Sequence, residues 1–166
     1  MELDNLSGLP DWDDEHFKNF EEEGDNWKRK EKNKLAGKLY DQWKQVLVLL
    51  LGLYDGIKPS DEEEGEESFF ESQKEIILND AYLVGAKIRG AEAGDMYVLR
   101  MENASIIRTA AQTVYIHMSS LKFQGLAEET HTDAVRREIE IFREYFKGWV
   151  ASFKKDEFED EWGLFK

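Results

Sequence analysis

The sequence predicts an all-α protein: an antiparallel up-down-up-down four-helix bundle with acidic, aromatic terminal extensions. Three observations carry this. Apolar residues recur at steps of three and four in four long stretches, and β-branched alternation is nowhere sustained. The only two prolines, Pro10 and Pro59, fall at boundaries between those stretches. The connections are short, which favours antiparallel neighbours.

The first helix is expected from about Trp27 to Tyr54, with Asp25 or Asn26 as its cap. Leu35, Leu39, Trp43, Val46, Leu50 and Leu53 form one apolar face. Asp55-Gly56 and Lys58-Pro59 stop the helix. The acidic run from Ser60 to Ser68 is either a linker or the start of the second helix, where the dipole favours negative charge. The second helix carries Phe70, Ile77, Ala81, Val84 and Ile88 on one side.

The third stretch, Asp95 to Phe123, repeats Met101, Ala104, Ile107, Ala111, Val114, Met118 and Leu121. Residues 90–95 predict a tight turn, with Gly90 or Gly94 ending one helix and Asp95 capping the next. The alternative is one continuous helix of about 55 residues and roughly 80 Å, beyond the usual length. Gly125 closes the third helix, and Thr130-His131-Thr132-Asp133 has the form of a capping box for the fourth. That helix bears the most aromatic stripe in the chain: Val135, Ile139, Phe142, Tyr145, Phe146, Trp149 and Phe153. The 166 residues form one domain, with an acidic extension at 1–25, the bundle at 26–155 and an acidic-aromatic tail at 156–166.

Composition narrows the function. The net charge of −14 argues against nucleic acid and against anionic membrane surfaces as partners. The longest apolar run falls well short of the roughly 20 residues of a membrane span. With no basic, apolar leader pattern, the cytoplasm is the expected location. Absence of cysteine removes thiolate chemistry, zinc-thiolate and iron–sulfur sites. No Gly-Lys-Ser/Thr loop follows a strand and no Gly-x-Ser-x-Gly elbow occurs, so no cofactor is expected and no catalytic residue stands out.

Two Asp/Glu-x-x-His spacings, Glu128–His131 and Asp13–His16, are the nearest approach to a carboxylate-bridged metal pair. One straddles a loop and a helix start and the other lies in the acidic terminus, so no metal site is expected. Ala86, Gly90 and Gly94 give a small-residue spacing that marks close approach or a turn.

The most unusual stretch opens the third helix. Tyr97, Arg100, Asn103 and Arg108 lie along or beside its apolar face, with His117 further on. Arginine beside a bundle seam needs partners, because a buried unpaired charge is costly. One expectation is an internal ion-pair network with Asp80, Glu138 or Glu144. The other is an anion- or small-ligand-binding pocket with Arg100 and Arg108 as its clamp.

Charge is also unevenly placed. The basic run Lys28 to Lys34 is expected to meet the terminal acids Asp156, Glu157, Glu159, Asp160 and Glu161 in a clasp at one pole. The aromatic ends, including Trp12 and Trp162, either cover the bundle ends or engage a partner. The preferred function is a non-enzymatic cytoplasmic interaction or scaffold protein that self-associates, through an aromatic helix face, or binds a protein partner. The alternative is a small-molecule or anion-binding bundle, an enzyme among its forms, built around Tyr97, Arg100, Asn103, Arg108 and His117.

Overall fold

The computed structural model describes residues 6–13, 26–58 and 64–166, with the side chains of 26–33 and 64–68 outside that description. Four helices account for most of it: α1 (Asn26–Gly56), α2 (Glu64–Glu92), α3 (Tyr97–Phe123) and α4 (Glu129–Ala151). No strand occurs among the described residues. α1 packs on α2 and α4, and α3 packs on the same two helices, so the four enclose one core. No helix is long and apolar enough to cross a membrane among the described residues.

The helical periodicity explains the packing. Leu39, Trp43, Val46 and Leu50 of α1 are fully enclosed, as are Ala81, Val84 and Ile88 of α2 and Ile107, Val114 and Met118 of α3. Leu35 departs from the expected stripe and is exposed. The Trp43 indole donates to the Ala81 carbonyl at 2.6 Å, which ties α1 to α2 through a buried polar contact. The aromatic stripe of α4 is largely internal: Val135, Ile139, Phe142 and Trp149 are buried, Phe146 and Phe153 half-buried, and only Tyr145 is exposed. Most of that stripe therefore packs into the bundle's own core.

The helix ends show where local rules yield to distant partners. α2 includes the acids from Glu64 onward, and its last turn runs through Glu92. The break before α3 is a real turn, with Ala93 N donating to Gly90 O at 3.3 Å. Asp95 does not cap α3. The cap position is Met96, without a side-chain bond, and the amide of Tyr97 donates to Asp156 Oδ2 at 2.8 Å. A carboxylate 59 residues away thus satisfies a donor that the helix leaves open.

α3 ends as expected, with Gly125 at φ 68° and Leu126 N donating to Leu121 O at 3.0 Å. The expected capping box at Thr130 is also corrected. α4 starts one residue earlier, after Glu128, because the Glu128 carbonyl accepts from both His131 N and Thr132 N at 3.1 Å. That puts Thr130 inside the first turn. The Asp25 cap and residues 60–63 lie outside the described residues.

Residues 6–13 run across α1 and α2. Leu9 sits over Gly85, where an added Cβ would meet its methyls at 2.8 and 3.0 Å. Tyr40 Oη donates to Pro10 O at 2.6 Å, Lys44 Nζ meets Asp11 at 2.8 Å, and the Trp12 and Tyr40 rings lie 5.3 Å apart. The close approach that small residues permit therefore falls at Gly85 rather than at Gly90 or Gly94.

Candidate functional site

Arg100 is buried, one turn into α3. Its Nη2 donates to Glu92 Oε1 at 2.6 Å, and the two side chains are 3% and 4% exposed, so little water screens the pair. The Trp149 indole donates to the same oxygen at 2.9 Å. The guanidinium lies 4.1 Å from the centre of the Phe153 ring, a cation–π contact in a desolvated setting. Arg100 Nε is buried without a partner.

The partner differs from those expected. Asp80 lines a shallow groove between α2 and α3, Glu138 accepts from Gln42 Nε2 at 2.6 Å, and Glu144 pairs with Lys147 on the surface of α4. Glu92 takes the role because α2 continues through it, which turns its carboxylate inward instead of leaving it in a loop.

The other singled-out residues spread along α3. Tyr97 is half-buried beside the Asp156 contact. Asn103 donates back to Leu99 O at 2.9 Å, a contact within its own helix. His117 lies 17 residues beyond Arg100, about 25 Å along the axis. It is buried, its Nε2 has no partner, and burial lowers its pKa below the ordinary value. Tyr54, whose ring centre is 6.3 Å away, also has a buried, unpartnered hydroxyl, and burial pushes its pKa up. Arg100, Glu92, Trp149 and Phe153 come together; Asn103, Arg108 and His117 do not join them.

Arg108 instead lines a groove of about 580 Å³ between α3 and α4. Ala111, Ile139, Phe142 and Phe146 form its apolar floor, and Arg108, Arg143 and Lys147 its cationic lip. Glu140 is the one acid lining it and accepts from the Tyr115 hydroxyl at 2.9 Å. That hydroxyl also receives Arg136 Nη2 at 2.9 Å. Ile116, 67% exposed, stands at the edge. A cationic lip over an apolar floor suits an acidic group carried on an apolar body. The sequence offered one faint signal for it, the Arg143–Lys147 step of four beside the aromatic stripe.

The C-terminal segment builds a second feature. Asp160 accepts from the amides of Trp162 (3.0 Å), Leu164 (2.7 Å) and Phe165 (2.9 Å), and Gly163 sits at φ 67°. Backbone bonds from Phe165, Trp162 and Leu164 lower the Asp160 pKa. The turn leaves Trp162 93% and Leu164 74% exposed. In the expected clasp, the side chains of residues 28–33 lie outside the description, and Lys34 is exposed. Asp156 and Asp160 bind backbone amides.

Among the described residues no group of three His, Asp or Glu is placed to hold a metal. Glu128 and His131 are both exposed, and His16 lies outside the described residues. No protein-family model matches the chain, and no curated protein or solved structure matches it either.

Proposed function

We propose that this chain is a non-enzymatic helical interaction protein of the cytoplasm that self-associates, with nucleic acid and membrane excluded as partners by its −14 charge. The observation that carries it is the enclosure of Arg100. Its charge is answered by Glu92 and Phe153 inside the bundle, so the polar start of α3 is structural and does not need a ligand. Apolar side chains meanwhile stand outside, with Trp162 and Phe123 each 93% exposed and Ile116 67%. Of these, Ile116 edges the α3–α4 groove, whose floor is apolar.

The architecture that goes with this function is an up-down-up-down bundle flanked by acidic extensions. Three sets of contacts support it. Tyr54 meets Phe70 while Trp43 meets Ala81. Lys122 bonds Glu129 while Arg100 meets Phe153. Glu92, Arg100 and Trp149 share one pole. In each helix pair, later residues of one face earlier residues of the next.

Size-exclusion chromatography with light scattering from about 1 to 200 µM, which covers the weak, micromolar end of standard-sized interfaces, tests the proposal. A mass above 19.4 kDa that rises with concentration supports it. A strict monomer throughout removes it.

A second function, binding of a small amphipathic anion, is favoured by the placement of Arg108 on the cationic lip of the α3–α4 groove. Titration calorimetry with decanoate tests it, and no heat with either wild type or Arg108→Ala removes it.

A further inference from the structure

We propose that the α3–α4 groove receives the acidic-aromatic turn, residues 158–165, of a second copy of this chain, and that two copies exchange these turns reciprocally. This rests on the self-association proposed above and names its contact.

Charge complementarity identifies the occupant. The groove sets Arg108, Arg143 and Lys147 around Ala111, Ile139, Phe142 and Phe146. The tail alternates the same two chemistries with opposite charge: Glu157, Glu159, Asp160 and Glu161 among Phe158, Trp162 and Leu164. Arg108 forms no salt bridge among the described residues, and Lys147 pairs only with exposed Glu144 at 2.8 Å. In a chain of net charge −14, a cationic lip is a local exception, and it complements an acidic occupant.

The turn is already shaped for insertion. Three amides fixed on Asp160 hold its backbone, so little ordering remains when Trp162 enters a pocket. An exposed tryptophan on a fixed turn is the typical anchor of an interface. Phe158 and Leu164, 56% and 74% exposed, flank it.

The turn does not serve its own groove. Trp162 is 93% exposed, so nothing in its own bundle covers it. Asp156 is held at the start of α3 by the amide of Tyr97, whereas the groove runs from Arg108 to Ile116, roughly 17–29 Å further along that helix. Trp162 lies six positions beyond Asp156, at most roughly 20–22 Å when fully extended; that distance reaches the Arg108 end of the groove but not the Ile116 end, and it is shorter with the Asp160 turn intact. A second copy meets no such limit. Reciprocal exchange uses the same two patches on both copies and closes a two-fold dimer.

The test uses the full chain and two variants that alter only exposed groups. Trp162→Ala removes the anchor, and the double variant Arg108→Glu, Arg143→Glu inverts the lip. Sedimentation equilibrium should give a wild-type dimer whose Kd rises roughly 30-fold or more in each variant, with unchanged helical circular dichroism. Mixed together, the variants should recover half of the contact, since one supplies an intact turn and the other an intact groove. A heterodimer stronger than either variant alone supports the exchange.

If wild type dimerises and both variants dimerise equally well, self-association stands and this contact is overturned. If the lip variant fails but Trp162→Ala does not, another occupant holds the groove, and the contact is again overturned. A monomeric wild type overturns both.

Discussion

Replacing Glu92 with Gln tests the most consequential contact in the fold. The substitution keeps size and shape but leaves the Arg100 guanidinium, 3% exposed, without its counter-charge. Nε already lacks a partner, so the side chain has no second carboxylate bond to fall back on. Breaking a buried pair from one side costs about 3–5 kcal/mol, against about 0–1 kcal/mol for a surface pair. The weakened Trp149 bond, 2.9 Å to the same oxygen, acts in the same direction. For a chain of 166 residues each kcal/mol moves Tm by about 2–4 °C, so Glu92→Gln should lower Tm by roughly 6–20 °C. Removing both charges with a volume-matched pair, Glu92→Leu with Arg100→Met, should restore most of that loss, because no buried ion is left uncompensated. Urea unfolding followed by circular dichroism at constant slope measures both. A loss below about 1 kcal/mol for Glu92→Gln would refute the enclosure of Arg100.

Other perturbations follow from the same coordinates. Gly85→Leu should push Leu9 out of its seat, since even a Cβ there would stand 2.8 Å from it; hydrogen exchange should rise in residues 7–13 while helical content holds, and unchanged exchange would contradict the seating. His117→Leu should flatten the acid limb of stability. Burial lowers the folded-state pKa of His117 below 6.5, so the unfolded chain takes up the proton first and stability falls as pH drops below that value, levelling once the folded form also protonates. The wild-type and variant curves should part below about pH 6.5; parallel curves would place His117 in solvent. Asp160 has the same sign in a lower pH window: its lowered pKa keeps the tail turn intact above pH 3.8 and releases it as pH falls through the lowered value. The Leu164 amide resonance followed by NMR should report that release, and Asp160→Asn should abolish it.

The helices and most of their buried faces were legible because burial on one side imposes a period that survives in the sequence: Leu39, Trp43, Val46 and Leu50 fall where that period puts them. The turn before α3 was legible for the same kind of reason, since glycines cluster there. The caps were not. Asp95 precedes the helix, yet Asp156 binds the Tyr97 amide, a choice fixed by how the chain returns to that pole. The partner of Arg100 was missed because assigning Glu92 to a loop hid the direction of its carboxylate. The α3–α4 groove was hidden for a deeper reason. Its depth depends on how far two helices stand apart, and neither helix's own periodicity encodes that separation.

Hydroxyl-radical footprinting of dilute and concentrated protein tests most directly whether the polar start of α3 is internal and the contact surface lies outside. Trp162 should react strongly when dilute and lose most of that reactivity on concentration, with Ile116 following it, while Trp149 stays unreactive in both samples. Equal labelling of Trp162 at both concentrations, or labelling of Trp149 in either, would contradict the account.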